Sequence, residues 1–302
     1  MKQPAIFDVI IIGGSYAGLA AAMALGRALR NVLVIDSGSP CNKQTPHSHN
    51  FLTNDGKTPE EIARLAKQQV RMYSSVSFLE GLATACFKTE RGFGVQIHNG
   101  EEFTARKLVF ATGIRDIMPS IPGFAESWGI SVLHCPYCHG YEVRHQQTGI
   151  FANGDTAYEL SSLISNWTNN LTVYTNGKST LTEQQQTKLT AHSIKIIESE
   201  ISKLENINGY IQNILFTNGT NASLRAMYAR LPFVQHTSIP QESGCELTQE
   251  GYIKIDPAHR TTVYGLYACG DNTTRIRTVA NAVSMGTTTG LMVNKELIEE
   301  DF

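Results

Sequence analysis

Val9-Ile10-Ile11-Ile12-Gly13-Gly14-Ser15-Tyr16-Ala17-Gly18 stands near the N-terminus, and the chain reads outward from it. Four consecutive apolar residues without alternation suit a parallel strand buried on both faces. The glycine turn leads into an Ala-rich segment expected to be helical, Leu19 to Leu29. A second apolar run follows, Val32-Leu33-Val34-Ile35, closed by Asp36. Strand, turn, helix, strand and terminal acid make up the dinucleotide-binding fingerprint. Gly13 allows the tight turn and Gly18 allows close packing of helix on sheet. The free N–H groups and positive dipole of the helix start suit a pyrophosphate. Asp36 is placed to accept from a ribose hydroxyl. Ser15 holds the middle glycine position, where a small hydroxyl still permits close approach and offers phosphate a hydrogen bond.

The 302 residues are enough for two domains, and 41% apolar with 17% charged residues describes a soluble globular protein. A formal net charge of -2 without a basic run argues against nucleic acid or an anionic membrane as partner. Met1-Lys2-Gln3-Pro4 runs almost directly into the first strand with no leader pattern. No apolar run approaches the roughly 18 residues of a membrane-spanning helix. The expected location is the cytoplasm, where thiols start out reduced.

Residues 38–58, with Pro40, Pro46, His47 and His49, read as an irregular loop. A loop after the first nucleotide unit is expected to lie over the ligand, although each His alone reads as solvent-facing. Thr58 and Glu61 form a capping box for a helix reaching about Tyr73. Val76 to His98 alternates like antiparallel strands. Lys107 to Gly113 is a buried strand ending in small residues, and Arg115 to Pro122 reads as a crossover. A second nucleotide unit begins at Gly149, but Ala152 and Asn153 occupy glycine positions and only Gly154 and Ala157 keep theirs. Its helix is expected to reach Trp167, followed by a strand Leu171 to Thr175 and a weak strand pair in 194–216. Tyr252 to Asp256 and Thr262 to Asp271 read as short strands, the latter ending in Gly270-Asp271, and a helix follows from Thr278 to Glu299. Asp271 is placed to hold polyol hydroxyls, and the last strand is expected to return to the first sheet. The fold class is α/β, with two Rossmann-like three-layer nucleotide-binding domains, one inserted into the other. The expected boundaries are 1–113, 114–240 and 241–302.

Between the two fingerprints lies Cys135-Pro136-Tyr137-Cys138-His139-Gly140-Tyr141-Glu142. Two cysteines at this spacing can close and reopen a disulfide, and a neighbouring His can move the proton this requires. C-x-x-C-H is also the attachment pattern for c-type haem. Zinc would need two further ligands, yet Cys41, Cys86, Cys245 and Cys269 are scattered singly. A structural disulfide lacks a secretory context. A redox dithiol between two nucleotide sites is the favoured reading, and no metal is expected.

In this order and spacing, these motifs resemble the low-molecular-weight thioredoxin reductases and related flavin-dependent dithiol oxidoreductases across essentially the whole chain. The C-x-x-C-H-G-Y-E form is most similar to the branch of gliotoxin-type and holomycin-type dithiol oxidases. The resemblance implies FAD in 1–113 plus 241–302, met by Gly13, Gly14, Ser15, Ala17, Gly18, Asp36, Gln44, Asn50, Ala83, Thr112, Gly113, Gly270, Asp271, Arg277, Thr278 and Val279. It implies NADPH at Gly154, Asp155, Thr156 and Lys178, a homodimer, and domains that rotate so that dithiol and nicotinamide alternate at the flavin. Cys138 would be the thiol nearest the flavin, Cys135 the one that attacks substrate, and His139 the acid-base, with a bland turn-orienting role as its alternative.

Two departures bear on function. Thioredoxin reductases place a cationic cluster where this chain has Thr175-Asn176-Gly177-Lys178, and one ammonium is a poor substitute for guanidinium pairs. Arg277-Thr278-Val279 replaces the usual Arg-Gln-Ala. The expected function is a thioredoxin-reductase-like oxidoreductase. Electrons would pass from a nicotinamide, NADPH ahead of NADH, through FAD and Cys135–Cys138 to thioredoxin or a small disulfide. The alternatives are a dithiol oxidase delivering electrons to oxygen, a reductase fed by ferredoxin, and a non-turning-over redox sensor.

Overall fold

The computed structural model describes residues 6–302; the N-terminal residues read above for a leader lie outside them. β1 (Phe7–Ile12) carries the apolar run, and Val9, Ile10 and Ile11 are fully buried. Each such side chain contributes about 1.5–3 kcal/mol relative to an exposed one. The chain continues through α1 (Tyr16–Arg27), β2 (Val32–Asp36), α2 (Pro59–Val70), β3 (Val76–Glu80), β4 (Ala83–Thr89), β5 (Gly92–Ile97) and β6 (Glu102–Phe110). These strands form one sheet in the order β3-β2-β1-β6-β5-β4, and the strand Leu266–Ala268 also pairs with β6, in parallel.

The chain divides into two compact units. The first comprises the residues through Lys43, Phe51–Arg115 and Phe233–Phe302; the second comprises Gln44–Asn50 and Asp116–Pro232. In the first unit the C-terminal helix Val279–Asp301 lies directly on α1. A Cβ on Gly286 would come within 2.0 Å of the Ala17 carbonyl oxygen, so only glycine permits this approach. Buried charge locks the same helix to the sheet. Glu296 accepts from Lys107 Nζ at 2.6 Å, from Tyr267 Oη at 2.7 Å and from Arg260 Nε at 3.0 Å. Lys107 also donates to Glu300.

The second unit holds a parallel sheet whose strands run in the order Lys195–Ile197, Leu171–Tyr174, Thr148–Phe151, Ala226–Ala229, Val132–Leu133. A three-stranded antiparallel sheet, Ile201–Ile207, Tyr210–Phe216 and Asn221–Ser223, accompanies it. Phe124, Trp128, Tyr174 and Phe216 fill the core on that side.

Three expectations are corrected. Val76–Glu80 pairs with β2 in parallel rather than opening an antiparallel run. Val76 is buried while Ser77 and Glu80 are exposed, and such a pattern reports exposure, not strand direction. α2 stops at Val70, short of Tyr73. Tyr252 to Asp256 forms no strand, only an isolated bridge between Leu247 and Ile253.

Candidate active site

In the second unit Cys135 and Cys138 are joined as a disulfide, with Cα atoms 5.3 Å apart. Cys135 caps a single turn, Pro136–His139, that proline pre-shapes at its first position. Gly140 follows the turn, and only glycine fits there: a Cβ would lie 2.4 Å from the Pro136 carbonyl oxygen and 2.8 Å from Trp167 Nε1. Tyr137 meets the Trp167 ring edge-on at 5.5 Å. Both Tyr137 and Tyr141 are exposed, and the Arg144 guanidinium lies 3.8 Å above the Tyr141 ring.

His139 is half-buried on the same turn as the disulfide. Burial, and secondarily the charge of His49, hold its imidazole below the ordinary value, while Glu142 opposes them. His49 and His139 meet edge to face with ring centroids 6.5 Å apart, and Glu142 Oε1 lies 3.7 Å from His49 Nε2. The loop histidines, read singly as solvent-facing, therefore divide: His47 is exposed, but His49 belongs to the dithiol site. Only tertiary contact reveals this. Three of the four other thiols are poor nucleophiles, while Cys41 is exposed. Burial pushes Cys86 and Cys245 up and Cys269 to about 12.

The first unit carries the fuller fingerprint, with Ser15 at its middle glycine position. Gly13 has φ +108°, and a Cβ there would strike the Ala111 carbonyl at 2.2 Å; one on Gly18 would strike the Gly13 carbonyl at 1.9 Å. A Cβ on Gly14 would lie 2.8 Å from the Asp36 side chain, which keeps open the lane between turn and acid. Ser15 caps α1 with backbone alone, its side chain making no capping bond. Ala17 faces Gly270, Ala83 is buried at the start of β4, and Gly113 has φ +65°. Asp271 lies 3.8 Å from Arg277, and Thr278 caps the helix that starts at Val279.

Sequence reasoning missed Asn272, which is fully buried and donates to the Phe110 carbonyl at 2.9 Å and to Thr112 Oγ1 at 3.3 Å. Its Oδ1 has no hydrogen-bond partner among the described residues. The only signal was its place directly after Gly270-Asp271. An open lane, a helix start without a side-chain cap and an orphaned buried acceptor fit FAD. Gln44 and Asn50, also assigned to FAD, fall in the second unit, where Gln44 lies near Gly129.

The second fingerprint differs in kind. Asn153 caps the helix Gly154–Ile164, and its Oδ1 accepts from the N–H groups of both Gly154 and Thr180 at 2.8 Å. Its Nδ2 donates to the Lys178 carbonyl at 2.9 Å, and the Lys178 residue is exposed. Asp155 accepts from Gln185 at 2.7 Å. Gly154 and Thr156 stand at the helix start.

The family model of the pyridine nucleotide-disulphide oxidoreductases matches residues 7–286. Thioredoxin reductase tcpT of Claviceps purpurea is 30% identical over 99% of this chain and 97% of its own. The crystal structure of an oxidoreductase from Agrobacterium tumefaciens is 34% identical, with a TM-score of 0.91 over 98% of this chain and 99% of its own. That of HlmI is 29% identical, with a TM-score of 0.92 over 100% of this chain and 95% of its own. Enzymes of this kind use FAD and NAD(P)H and act on thioredoxin or small disulfides. With the fingerprint, the half-buried histidine and the closed dithiol all in place, the chain belongs to the pyridine nucleotide-disulphide oxidoreductases and is a thioredoxin-reductase-like, FAD-dependent thiol–disulfide oxidoreductase.

Proposed function

We propose that the Cys135–Cys138 pair reduces an external disulfide, thioredoxin or a small molecule, with a nicotinamide as electron source. The observation that carries this is the closed disulfide with His139 on the same turn. FAD, when bound, supplies a two-electron store between nicotinamide and sulfur. His139 takes the proton of the Cys135 thiol, and the thiolate attacks one sulfur of the external disulfide. The first thiolate leaves and takes up a proton. Cys138, deprotonated in turn, attacks the Cys135 sulfur and re-forms the internal bond, and the second external thiol departs protonated. Two thiols and one disulfide go in, and one disulfide and two thiols come out.

In this reading the first unit holds FAD, through the residues that line its fingerprint and through Gly270 to Val279. The second holds the nicotinamide, at Gly154 to Thr156 and Lys178. The dispersed free cysteines fit a reducing cytoplasm, and no described helix is long and apolar enough to cross a membrane. A homodimer is supported by Leu52 and Met72, more than 80% exposed in the first unit. An apolar cavity of about 530 Å³ among Leu19, Met23, Leu65 and Val283 supports it further. Sedimentation at micromolar concentration tests that assembly.

A second reading, oxidation of a small dithiol with delivery of electrons to oxygen, is favoured by one observation. Asn153 satisfies N–H groups that a bound phosphate would use. Anaerobic stopped-flow of the purified yellow protein separates the two readings. Rapid bleaching by NADPH supports the reductase, and bleaching by a dithiol alone supports the oxidase. Undiminished turnover in Cys135→Ser would remove the dithiol from either mechanism.

A further inference from the structure

We propose that His49, anchored by Glu142, is the positioning residue of a proton path between solvent and His139, with His47 at its outer end. The inference rests on the acid-base role given to His139 above. Exchange moves two protons per disulfide, but an imidazole that has taken one can take no second until it sheds the first. A half-buried imidazole therefore needs a route to solvent.

The segment 44–50 supplies the route from within the same unit. The His47 and His49 rings lie 6.5 Å apart, and the His49 and His139 rings the same distance on the other side. One water hydrogen-bonded at both ends spans such a gap. His47 is exposed, His49 keeps 21% of its side-chain exposure, and His139 flanks Cys138. Glu142, 3.7 Å from His49 Nε2, holds the middle ring in line. The groups that act on His139 are His49 and Glu142; His49 also faces His47, and Glu142 also acts on the buried Tyr228 phenol. In each half of the exchange a thiol proton passes to His139, through His49 and His47 to water, and the leaving thiolate draws one back the same way. No electron moves along this path.

The experiment is the pH profile of thiol–disulfide exchange for wild type, His49→Asn, Glu142→Gln and His139→Asn, on holoenzyme with unchanged flavin content. It is paired with the NMR titration of the His139 Cε1–H, which is independent of turnover. In His49→Asn the rate should fall by about tenfold, less than the roughly 10²–10⁴-fold of losing the acid-base group itself, and free imidazole should restore it. Its His139 midpoint should rise, because a like charge is gone. In Glu142→Gln the midpoint should move the opposite way. Wild-type rate and an unmoved midpoint in His49→Asn overturn the inference, as does a displacement of the same sign in both variants. If His139→Asn itself leaves the profile unchanged, the acid-base reading of the previous section fails instead.

Discussion

At Gly14 one hydrogen atom decides whether a ligand fits, since a Cβ there would stand 2.8 Å from Asp36. Gly14→Val should therefore yield protein of normal secondary structure that purifies colourless, checked by flavin absorbance per chain. His139 gives the second expectation at this scale. Its neutral form is the base that accepts the thiol proton, and burial with His49 lowers its pKa below 6.5. A lowered value keeps the base competent at more acid pH, so the acid limb of the dithiol half-reaction should lie below 6.5, read from its pH–rate profile. Much of this was legible in sequence. Gly14, Gly18 and Asp36 act through neighbours within one strand-turn-helix-strand unit, so their spacing carries their role. Asn272 and His49 were not legible, because each acquires its role from a segment far away in the chain.

The helix Gly154–Ile164 shows how one element can keep a motif's place and lose its chemistry. Its start is well capped, but the cap is Asn153, and the bonds it makes to Gly154 and Thr180 consume donors that elsewhere meet phosphate. Asn153→Gly should free them. The NADPH concentration for half-maximal flavin reduction should fall about fivefold, roughly one net hydrogen bond, measured by anaerobic titration. Thermal stability should change little, because glycine is a tolerable cap. The erosion was visible in sequence as Ala152 and Asn153. That Asn153 fills the vacancy itself was not, since its partners lie beyond the next strand. β3 is the complementary case: its alternation reads as antiparallel pairing, yet the strand is parallel to β2, because period reports exposure and not direction.

For the molecule as a whole, the C-terminal helix is held by packing against α1 and by charge. Glu296 balances the buried Lys107 and the partly exposed Arg260, and removing it leaves Lys107 with Glu300 as its remaining carboxylate. Glu296→Ala should cost about 3 kcal/mol in urea unfolding, the usual penalty for breaking a buried pair. Glu296→Gln, which keeps the shape, should cost less. Nothing in the sequence announced this network, whose members are scattered from 107 to 300.

The membership of residues 44–50 in the second unit bears on how the enzyme can turn over. Backbone passes from one body to the other at 43/44, 50/51, 115/116 and 232/233, rather than only at the two seams of a simple insertion. The heptapeptide packs with the sulfur-bearing unit, so the histidines of the proposed path and the cysteines share one body. A nick between 43 and 44 would leave those histidines and cysteines joined while cutting one of the four crossings.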